Sequence, residues 1–295
     1  MRVVVVGAGS WGTVFAALLA ERGHDVVLAC RDGEQARAIT DTGRNPRYFS
    51  ELDLSGVGAA PLAEALPGSA PVLILAKGLD PVSGDRLSRV IGDRPVAVLT
   101  GPNHAEEIAA GLPAAAVVAS EDADLAALLQ EELLSPRLRV YVNSDLVGVE
   151  LCAAAKNVIA LAAGGVDGLE MGDNAKAALI ARGLAEMARL GEPFGTRPET
   201  FSGLAGLGDL VVTCWSRYSR NRRAGELIAR GATAEEAQAA IGSAVEGLTT
   251  APVLRDLSRR MGIELPITEA VCMVLEGASV HDLVSGLMAR RPTDE

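Results

Sequence analysis

The sequence lacks the cysteine and histidine clusters that hold structural metal ions. Its four cysteines (Cys30, Cys152, Cys214 and Cys272) lie far apart without a CxxC pair, and its three histidines are scattered. We interpret the cysteines as reduced thiols of a cytoplasmic protein rather than as metal ligands. We therefore expect no metal site.

Net positive charge is also lacking. The net charge of −11 argues against a nucleic-acid partner, because a phosphate backbone requires a basic footprint. It stays compatible with a small anionic substrate, since a local basic cluster can outweigh the global field. Hydrophobic residues make up 49% of the 295 residues, which is enough for two domains or one large one.

No internal repeat, low-complexity linker or heptad pattern is present. An uncharged run at 3–20 resembles a signal sequence or a short membrane span. Three glycines interrupt this run, and it changes from β-branched residues to alanine and leucine in mid-course. A strand, a turn and a helix explain that change better, so we expect no membrane insertion.

Two kinds of pattern divide the chain into two domains. Short Val/Leu/Ile-rich segments predict buried strands of a parallel sheet at 2–6, 26–30, 72–76 and 96–99. After about residue 143, Ala/Leu-rich segments predict helices at 146–163, 174–190, 221–230, 234–241, 246–261, 267–276 and 280–289. We predict a Rossmann-like domain over 1–143 and an all-helical domain over 144–295. The helical domain could also make homodimer contacts.

The first strand leads into a glycine pattern typical of dinucleotide binding. Gly7, Gly9 and Gly12 follow the strand and open a helix inside one βαβ unit, which is the context that the pattern requires. Gly7 allows the tight turn, Gly9 lets a pyrophosphate approach, and Gly12 lets the helix pack on the strand. The alternative is a glycine-rich turn that binds nothing.

The end of the second strand bears on the choice of cofactor. Arg31 occupies the place where an acid would receive the ribose 2′-hydroxyl of NAD, and arginine suits the 2′-phosphate of NADP. The adjacent Asp32 could serve NAD instead. The sequence thus favours NADP but leaves NAD open. It also leaves open that Arg31 is only a solvated surface charge.

A lysine stands in an otherwise apolar helical run, "GVELCAAAKNVIALAAGG". The neighbours of Lys156 at helical spacing include Cys152, Ala153, Ile159 and Ala160, which predict a buried face. Lysine is almost never fully buried without a partner. Lys156 is therefore either a functional group or a side chain that reaches past its neighbours to water.

Each of the other short polar segments has a functional and a purely structural interpretation. Lys77 and Gly101-Pro102-Asn103 follow predicted strands, where ligands bind in open α/β sheets, although Lys77 could merely cap a strand. "GLAGLGD" could be a helix cap, and "SRNRR" could be a solvated helix start capped by Ser219 or Asn221.

Taken together, these motifs are similar to those of one family. GAGSWG, LAKG, GPNHAEEIAAGLP, AAAKNVIALAAG, GLAGLGDLVVTC, SRNRR and AVEGLTT resemble, in order and over nearly the whole chain, the bacterial NAD(P)-dependent glycerol-3-phosphate dehydrogenases. The resemblance implies reversible reduction of dihydroxyacetone phosphate to sn-glycerol 3-phosphate for glycerophospholipid synthesis. A hydroxyacid dehydrogenase with a carboxylate substrate is a less favoured alternative, because SRNRR and GLAGLGD fit the phosphate family.

The resemblance also implies residue roles. Lys156 becomes the catalytic acid and base, with Lys77 and Asp209 beside it. The implied substrate contacts are Lys77, Gly101, Asn103, Lys156, Asn157, Asp209, Thr213, Ser219, Arg220 and Asn221. The implied cofactor contacts, besides the three glycines and Arg31, are Ser10, Trp11, Lys77, Ala105, Arg220 and Glu246. Asn103 departs from the family, which usually has a small hydroxyl residue there.

The resemblance breaks before Lys77. The family has two successive helix–strand units there, and this chain has one, so about one βα unit of roughly 30 residues is absent. We expect a gap beside strand 2–6 or a displaced strand at 72–76. The absence leaves open an alternative function, a relative that binds nucleotide or phosphate without efficient turnover.

Overall fold

The computed structural model of the chain describes residues 1–30, 32–61 and 70–281. The chain forms two compact units, one of Met1–Leu75 with Ile91–Ser144 and the other of Ala76–Val90 with Asp145–Glu295. We call the first the nucleotide unit and the second the helical unit. The sequence predicts that the chain passes from one to the other once, near residue 143. In the structure it does so there, but Ala76–Val90 also belongs to the helical unit.

The nucleotide unit has the predicted α/β architecture. Up to residue 144 the described elements are β1 (Arg2–Val6), α1 (Ser10–Glu21), β2 (Asp25–Cys30), α2 (Gly33–Thr42), β3 (Val57–Pro61), β4 (Val72–Ile74), α3 (Leu87–Ile91), β5 (Val96–Thr100), α4 (Ala105–Ala109), β6 (Ala114–Ala119), α5 (Ala123–Leu133) and β7 (Leu138–Asn143). The strand orders are β1-β2-β3 and β4-β5-β6-β7. Every pair is parallel except β5–β6. Strands β3, β6 and β7 are not among those predicted from the sequence.

One core lies under both groups of strands. Helix α1 buries Val14, Phe15 and Leu19 on this core, which also contains Leu28 of β2 and Leu99 of β5. The strands are rich in β-branched and aliphatic residues because both faces of a parallel sheet are covered.

The sheet is interrupted beside β1. Within the described ranges, β1 pairs with β2 alone and β4 with β5 alone. Val3 and Val4 are only half-buried and Val6 is 55% exposed, whereas a strand in the middle of a doubly wound sheet is buried on both faces. The gap expected from the shortened sequence is therefore present in the part of the chain that the structure describes.

The helical unit contains the predicted run of helices. After residue 144 the described elements are α6 (Leu146–Gly168), α7 (Gly172–Gly191), α8 (Pro198–Ser202), α9 (Asp209–Trp215), α10 (Arg220–Ala229), α11 (Ala234–Ile241), α12 (Glu246–Met261) and α13 (Pro266–Leu275), with a 3₁₀ turn at Glu192–Phe194 and a π turn at Leu204–Gly208. The helix predicted at 280–289 falls mostly outside the described residues.

Helix α6 is the centre of this unit. It contacts α7, α9, α10, α12 and α13. By length and composition α6 is the one described helix that could cross a membrane, but 89% of its most apolar window is buried within the protein. It crosses α10 closely, because a Cβ at Gly164 would lie 1.8 Å from the carbonyl oxygen of Arg222 and one at Gly225 would lie 1.9 Å from that of Leu161.

Candidate active site

Lys156 is buried in the middle of α6 and has two polar partners. The residue is 4% exposed, and its Nζ lies 2.6 Å from Oδ1 of Asp209 and 2.8 Å from the hydroxyl of Thr213. The hydroxyl in turn donates to the backbone carbonyl of Asp209 at 2.6 Å. Lys156 therefore does not reach past its neighbours to water, and its ammonium group has a defined direction.

Asp209 joins Lys156 to a second lysine. Its other carboxylate oxygen accepts a hydrogen bond from Nζ of Lys77 at 2.9 Å. Asp209 is the first residue of α9 and directly follows the π turn, a feature often found at functional sites. Gly206 permits this turn, since a Cβ there would lie 2.0 Å from the carbonyl oxygen of Phe201.

The two lysines and the aspartate shift one another's proton affinities. Burial and, to a smaller extent, the Lys77 ammonium lower the pKa of Lys156 to about 8, while Asp209 and Glu246 oppose that shift. Burial alone would raise the pKa of Asp209, but the two ammonium groups outweigh it and hold this pKa well below its usual range. Lys156 can thus give up and recover a proton near neutral pH, as a general acid and base requires.

Two buried amides connect the cluster to the neighbouring helices. Asn157 donates to the backbone carbonyl of Lys77 at 2.7 Å and accepts from Asn221 at 2.9 Å. The oxygen of Asn221 accepts from the backbone N–H of Gly247 at 2.8 Å. This chain of bonds aligns the N-termini of α10 and α12 with Lys77. The resemblance implies both asparagines as substrate contacts, which stays a prediction, and in the structure they connect the cluster to α10 and α12.

The SRNRR motif forms the start of α10. Ser219 caps the helix by accepting from the N–H of Arg222 at 3.2 Å, as expected if the motif is a capped helix start. Arg220 lies 2.9 Å from a carboxylate oxygen of Glu246, and both side chains are about one-third exposed. Two residues implied as ligand contacts, Arg220 and Glu246, are thereby brought together.

The glycine-rich loop of the nucleotide unit is shaped to accept a phosphate. Gly7 has a φ of +98°, and a Cβ at Gly12 would lie 1.9 Å from the carbonyl oxygen of Gly7. Among the described residues, nothing lies within 4 Å of a Cβ built at Gly9, and no side chain caps the N-terminus of α1. Open space in front of free N–H groups is what a pyrophosphate requires, so these residues fit a dinucleotide.

A buried polar network steadies this loop. The backbone carbonyl of Ala8 accepts from Gln35 at 3.0 Å and from Asn45 at 3.1 Å, and Asn45 also donates to Thr13 at 2.8 Å. Gln35 and Asn45 are not among the site residues predicted from the sequence. Their only signal is a polar side chain beside a predicted core, which is weak until the partners are known. Trp11, at the start of α1, has a buried indole N–H without a hydrogen-bond partner among the described residues.

Of the two residues predicted to lie at the cofactor's ribose, the structure describes Asp32. Arg31 is not among the described residues, so its predicted contact with a 2′-phosphate stays a prediction. Asp32 caps α2 by accepting from the N–H of Glu34 and forms an ion pair with Arg47, and these contacts lower its pKa. Asp32 is thus already engaged by protein groups, which makes it a poorer receptor for a ribose hydroxyl.

Three further predicted contacts lie in the nucleotide unit after β5. Gly101 has a φ of +120°, Asn103 is buried, and Ala105 is the first residue of α4. Lys156, Asp209 and Lys77, which form the lysine cluster, belong to the helical unit. In the described ranges no group of three or more His, Cys, Asp or Glu side chains could hold a metal ion.

The chain matches one family over nearly its whole length. The C-terminal model of the NAD-dependent glycerol-3-phosphate dehydrogenases matches residues 145–285. The N-terminal model of the same family matches in two pieces, residues 2–58 and 56–126. The break between the pieces falls where the sequence is shorter than the family.

Individual relatives agree with this match. Glycerol-3-phosphate dehydrogenase [NAD(P)+] of Moorella thermoacetica is 44% identical over 325 aligned positions, which cover 99% of this chain and 97% of the relative. That of an Exiguobacterium species is 44% identical and covers 98% and 95%. A crystal structure of glycerol-3-phosphate dehydrogenase from Coxiella burnetii has a TM-score of 0.93 and 38% identity, and covers 98% of this chain and 99% of that one.

Proposed function

The chain belongs to the NAD-dependent glycerol-3-phosphate dehydrogenase family, and from this premise we propose that it reversibly reduces dihydroxyacetone phosphate to sn-glycerol 3-phosphate with NADPH or NADH. The observation that carries the proposal is the buried Lys156–Asp209–Lys77 cluster. The family match decides against the hydroxyacid dehydrogenase, and nothing in the comparisons favours the impaired relative. The glycerol 3-phosphate formed would supply glycerophospholipid synthesis.

The chemistry divides between the cofactor and the lysine cluster. The reduced nicotinamide, when bound, supplies a hydride to the ketone carbon. Asp209 and Thr213 fix the direction of the Lys156 ammonium group. Lys156 donates a proton to the ketone oxygen, on which negative charge develops. Such proton transfer typically contributes about 10²–10⁴-fold in rate. In the reverse direction the neutral amine of Lys156 accepts the proton of the hydroxyl.

Asp209 and Lys77 prepare Lys156 for this role. Asp209 keeps the buried ammonium charged and aims it, because a carboxylate at 2.6 Å offsets part of the cost of burial. Lys77 adds a second positive charge beside the same carboxylate, which favours a negatively charged substrate. The phosphate of the substrate is assigned to Arg220, whose planar fork of donors matches phosphate oxygens.

The direct test is a spectrophotometric assay. Purified protein with dihydroxyacetone phosphate should oxidise NADPH or NADH, followed as loss of the absorbance of the reduced nicotinamide. A comparison of kcat/KM for the two cofactors tests the preference for NADPH inferred from Arg31. The absence of turnover with either cofactor would contradict the proposal. A cytoplasmic location and a homodimer stay predictions, and sedimentation of the purified protein checks the second.

Replacing Arg220 by alanine should raise the KM for dihydroxyacetone phosphate. A lost hydrogen bond to a charged group is worth about 1.5–3 kcal/mol, so we expect an increase of about 10- to 100-fold. Arg223 of the same motif is exposed on α10, and Arg223→Ala is the matched control, with a KM expected to stay near that of the wild type. Equal effects of the two substitutions, or unchanged kinetics in Arg220→Ala, would leave SRNRR as only a helix start.

Restoring the absent unit should tighten cofactor binding. A βα unit from a full-length relative, inserted between β3 and β4 so that both strands are kept, would give β1 a second parallel neighbour and steady the glycine-rich loop that follows it. We expect the Kd for NADPH, measured by fluorescence titration, to fall about tenfold or more.

The control for the graft is a second graft with proline in the middle of its strand. Proline cannot donate to the ladder, so this version should lose the gain in affinity. A Kd that is the same with and without the graft would mean that the shortened unit is already complete for nucleotide binding.

A further inference from the structure

The segment 76–90, which carries Lys77, is attached to α6 at two points. Asn157 binds the backbone carbonyl of Lys77, and Glu150 binds the other end of the segment. Glu150 and Asn157 are seven residues apart, which is two helical turns, so both side chains leave α6 on one face about 10.5 Å apart along its axis. One face of α6 therefore holds both ends of the segment.

Glu150 makes three short bonds in a buried place. The residue is 5% exposed, and its carboxylate accepts from the N–H of Ser88 at 2.8 Å, from the Ser88 hydroxyl at 2.6 Å and from Arg86 at 2.7 Å. A buried carboxylate without such donors would be costly, so these bonds define the position of residues 86–88. Glu150 stands in the same apolar run as Lys156.

The loop between the two points is bonded to itself. Leu79 and Arg86 form an antiparallel bridge, and Asp80 exchanges backbone bonds with its neighbours: its N–H donates to Asp85 and its carbonyl accepts from Gly84, both at 2.9 Å. Leu79 is buried in the core of the helical unit. A shift at Arg86 would therefore be passed to Lys77 rather than absorbed by a slack loop.

We propose that Glu150 is a positioning residue, which acts through Ser88 and Arg86 to hold the loop that places the Lys77 ammonium on Asp209. The inference deepens the proposed function and rests on it. Glu150 touches neither Lys156 nor Asp209 in the described contacts, and it acts only through the loop.

The test is Glu150→Gln in the full-length protein. The glutamine amide keeps one acceptor oxygen, but its N–H₂ group faces the donors of Ser88 and Arg86 and cannot accept from them, so the loop should loosen. Hydrogen exchange followed by mass spectrometry should then be at least about tenfold faster at the backbone amides of residues 77–90. The kcat should fall about 10- to 100-fold, because a misplacement of about 1 Å can cost 10²-fold. Ser88→Ala, which removes a single hydroxyl donor, should give smaller changes of the same kind if Glu150→Gln does not fold.

The pH profile separates positioning from general damage. Lys156 faces Lys77, Asp209, Glu246 and Cys214, and the Cys214 thiol stays neutral since burial raises its pKa to about 12. Retreat of Lys77 removes a charge that lowers the pKa of Lys156. The alkaline limb of kcat for ketone reduction should therefore move to higher pH in Glu150→Gln.

Glu186 offers a matched control on α7. It is 4% exposed and accepts from the N–H groups of Ile267 and Thr268 and from the Thr268 hydroxyl, at 2.6–2.9 Å. Glu186→Gln should loosen residues 266–269 and leave the alkaline limb in place. The proposal is overturned if Glu150→Gln leaves exchange at 77–90 unchanged, or if both variants move the limb equally. Should the wild type fail to turn over, the proposed function fails, and exchange at residues 77–79 still decides whether Glu150 places Lys77.

Discussion

Lys156→Ala is expected to abolish turnover of dihydroxyacetone phosphate while leaving cofactor affinity unchanged. The side chain is the buried ammonium closest to Asp209, and its removal takes away the proton donor for the developing alkoxide. A loss of about 10²–10⁴-fold in kcat is the usual size of this effect. The glycine-rich loop lies in the other unit of the chain, so titration with NADPH should give the wild-type Kd.

A second variant controls for the cavity that alanine would leave. Lys156→Met keeps an unbranched, apolar side chain of similar length and should be as inactive as Lys156→Ala, although more stable to urea. Large-to-small changes in a core cost roughly 2–5 kcal/mol, which the methionine largely avoids. Retention of more than about a tenth of wild-type kcat in either variant would contradict a catalytic role for Lys156.

Most helices of the helical unit could be predicted because their signals are local, although the short helices α8 and α9 were not predicted. Amphipathic runs with glycine or proline at their ends predicted α10–α13 within a few residues of their observed bounds. Lys156 stood out because lysine conflicts with an apolar face, and the structure resolves the conflict with a carboxylate that is 53 residues away in sequence. The same reasoning applies to Glu150, which lies in the same run and was overlooked because an acid near a helix start has an ordinary explanation.

The nucleotide unit was harder to predict for physical reasons. Strand β6, "AAAVVA", has four alanines among its six residues and carries little β propensity, and β3, "VGAAP", contains glycine and proline. Both are strands because of their neighbours in the sheet rather than because of their composition. The assignment of 76–90 to the helical unit depends on long-range contacts of Lys77, Arg86 and Ser88 with α6 and α9, for which local sequence has no signal.

The interruption of the sheet was the exception among these long-range features. It followed from length alone, since the stretch before Lys77 is too short for two helix–strand units. Alignment with the relative from Moorella thermoacetica spans 325 positions against the 295 residues of this chain, which agrees with one absent unit of roughly 30 residues. The half-exposed edge of β1 is the physical consequence.

Asp209→Asn is expected to have the largest effect on stability. The substitution leaves two ammonium groups beside a neutral amide, and removal of one partner from a buried ion pair typically costs about 3–5 kcal/mol in the free energy of unfolding. Urea unfolding at several pH values measures this cost. The pKa of Asp209 is depressed in the folded state, so its stabilising contribution is complete above the unfolded pKa of about 3.9 and is lost as the pH falls toward the folded value. The difference between wild type and variant should thus be full at pH 6–7 and shrink below about pH 4.

Asp209→Asn should also shift the alkaline limb of kcat, in the direction opposite to that expected for Glu150→Gln. Asp209 raises the pKa of Lys156 against the effect of burial, so its loss lets that pKa fall below about 8 and moves the alkaline limb of kcat to lower pH. Asp167→Asn is the matched control, because Asp167 also joins two cations, Lys176 at 2.8 Å and Arg222 at 2.7 Å, elsewhere in the helical unit. It should leave the limb where it is. A limb that stays in place in Asp209→Asn, with the free energy of unfolding unchanged at pH 7, would mean that Asp209 neither holds nor tunes Lys156, and the acid–base mechanism would need another carboxylate.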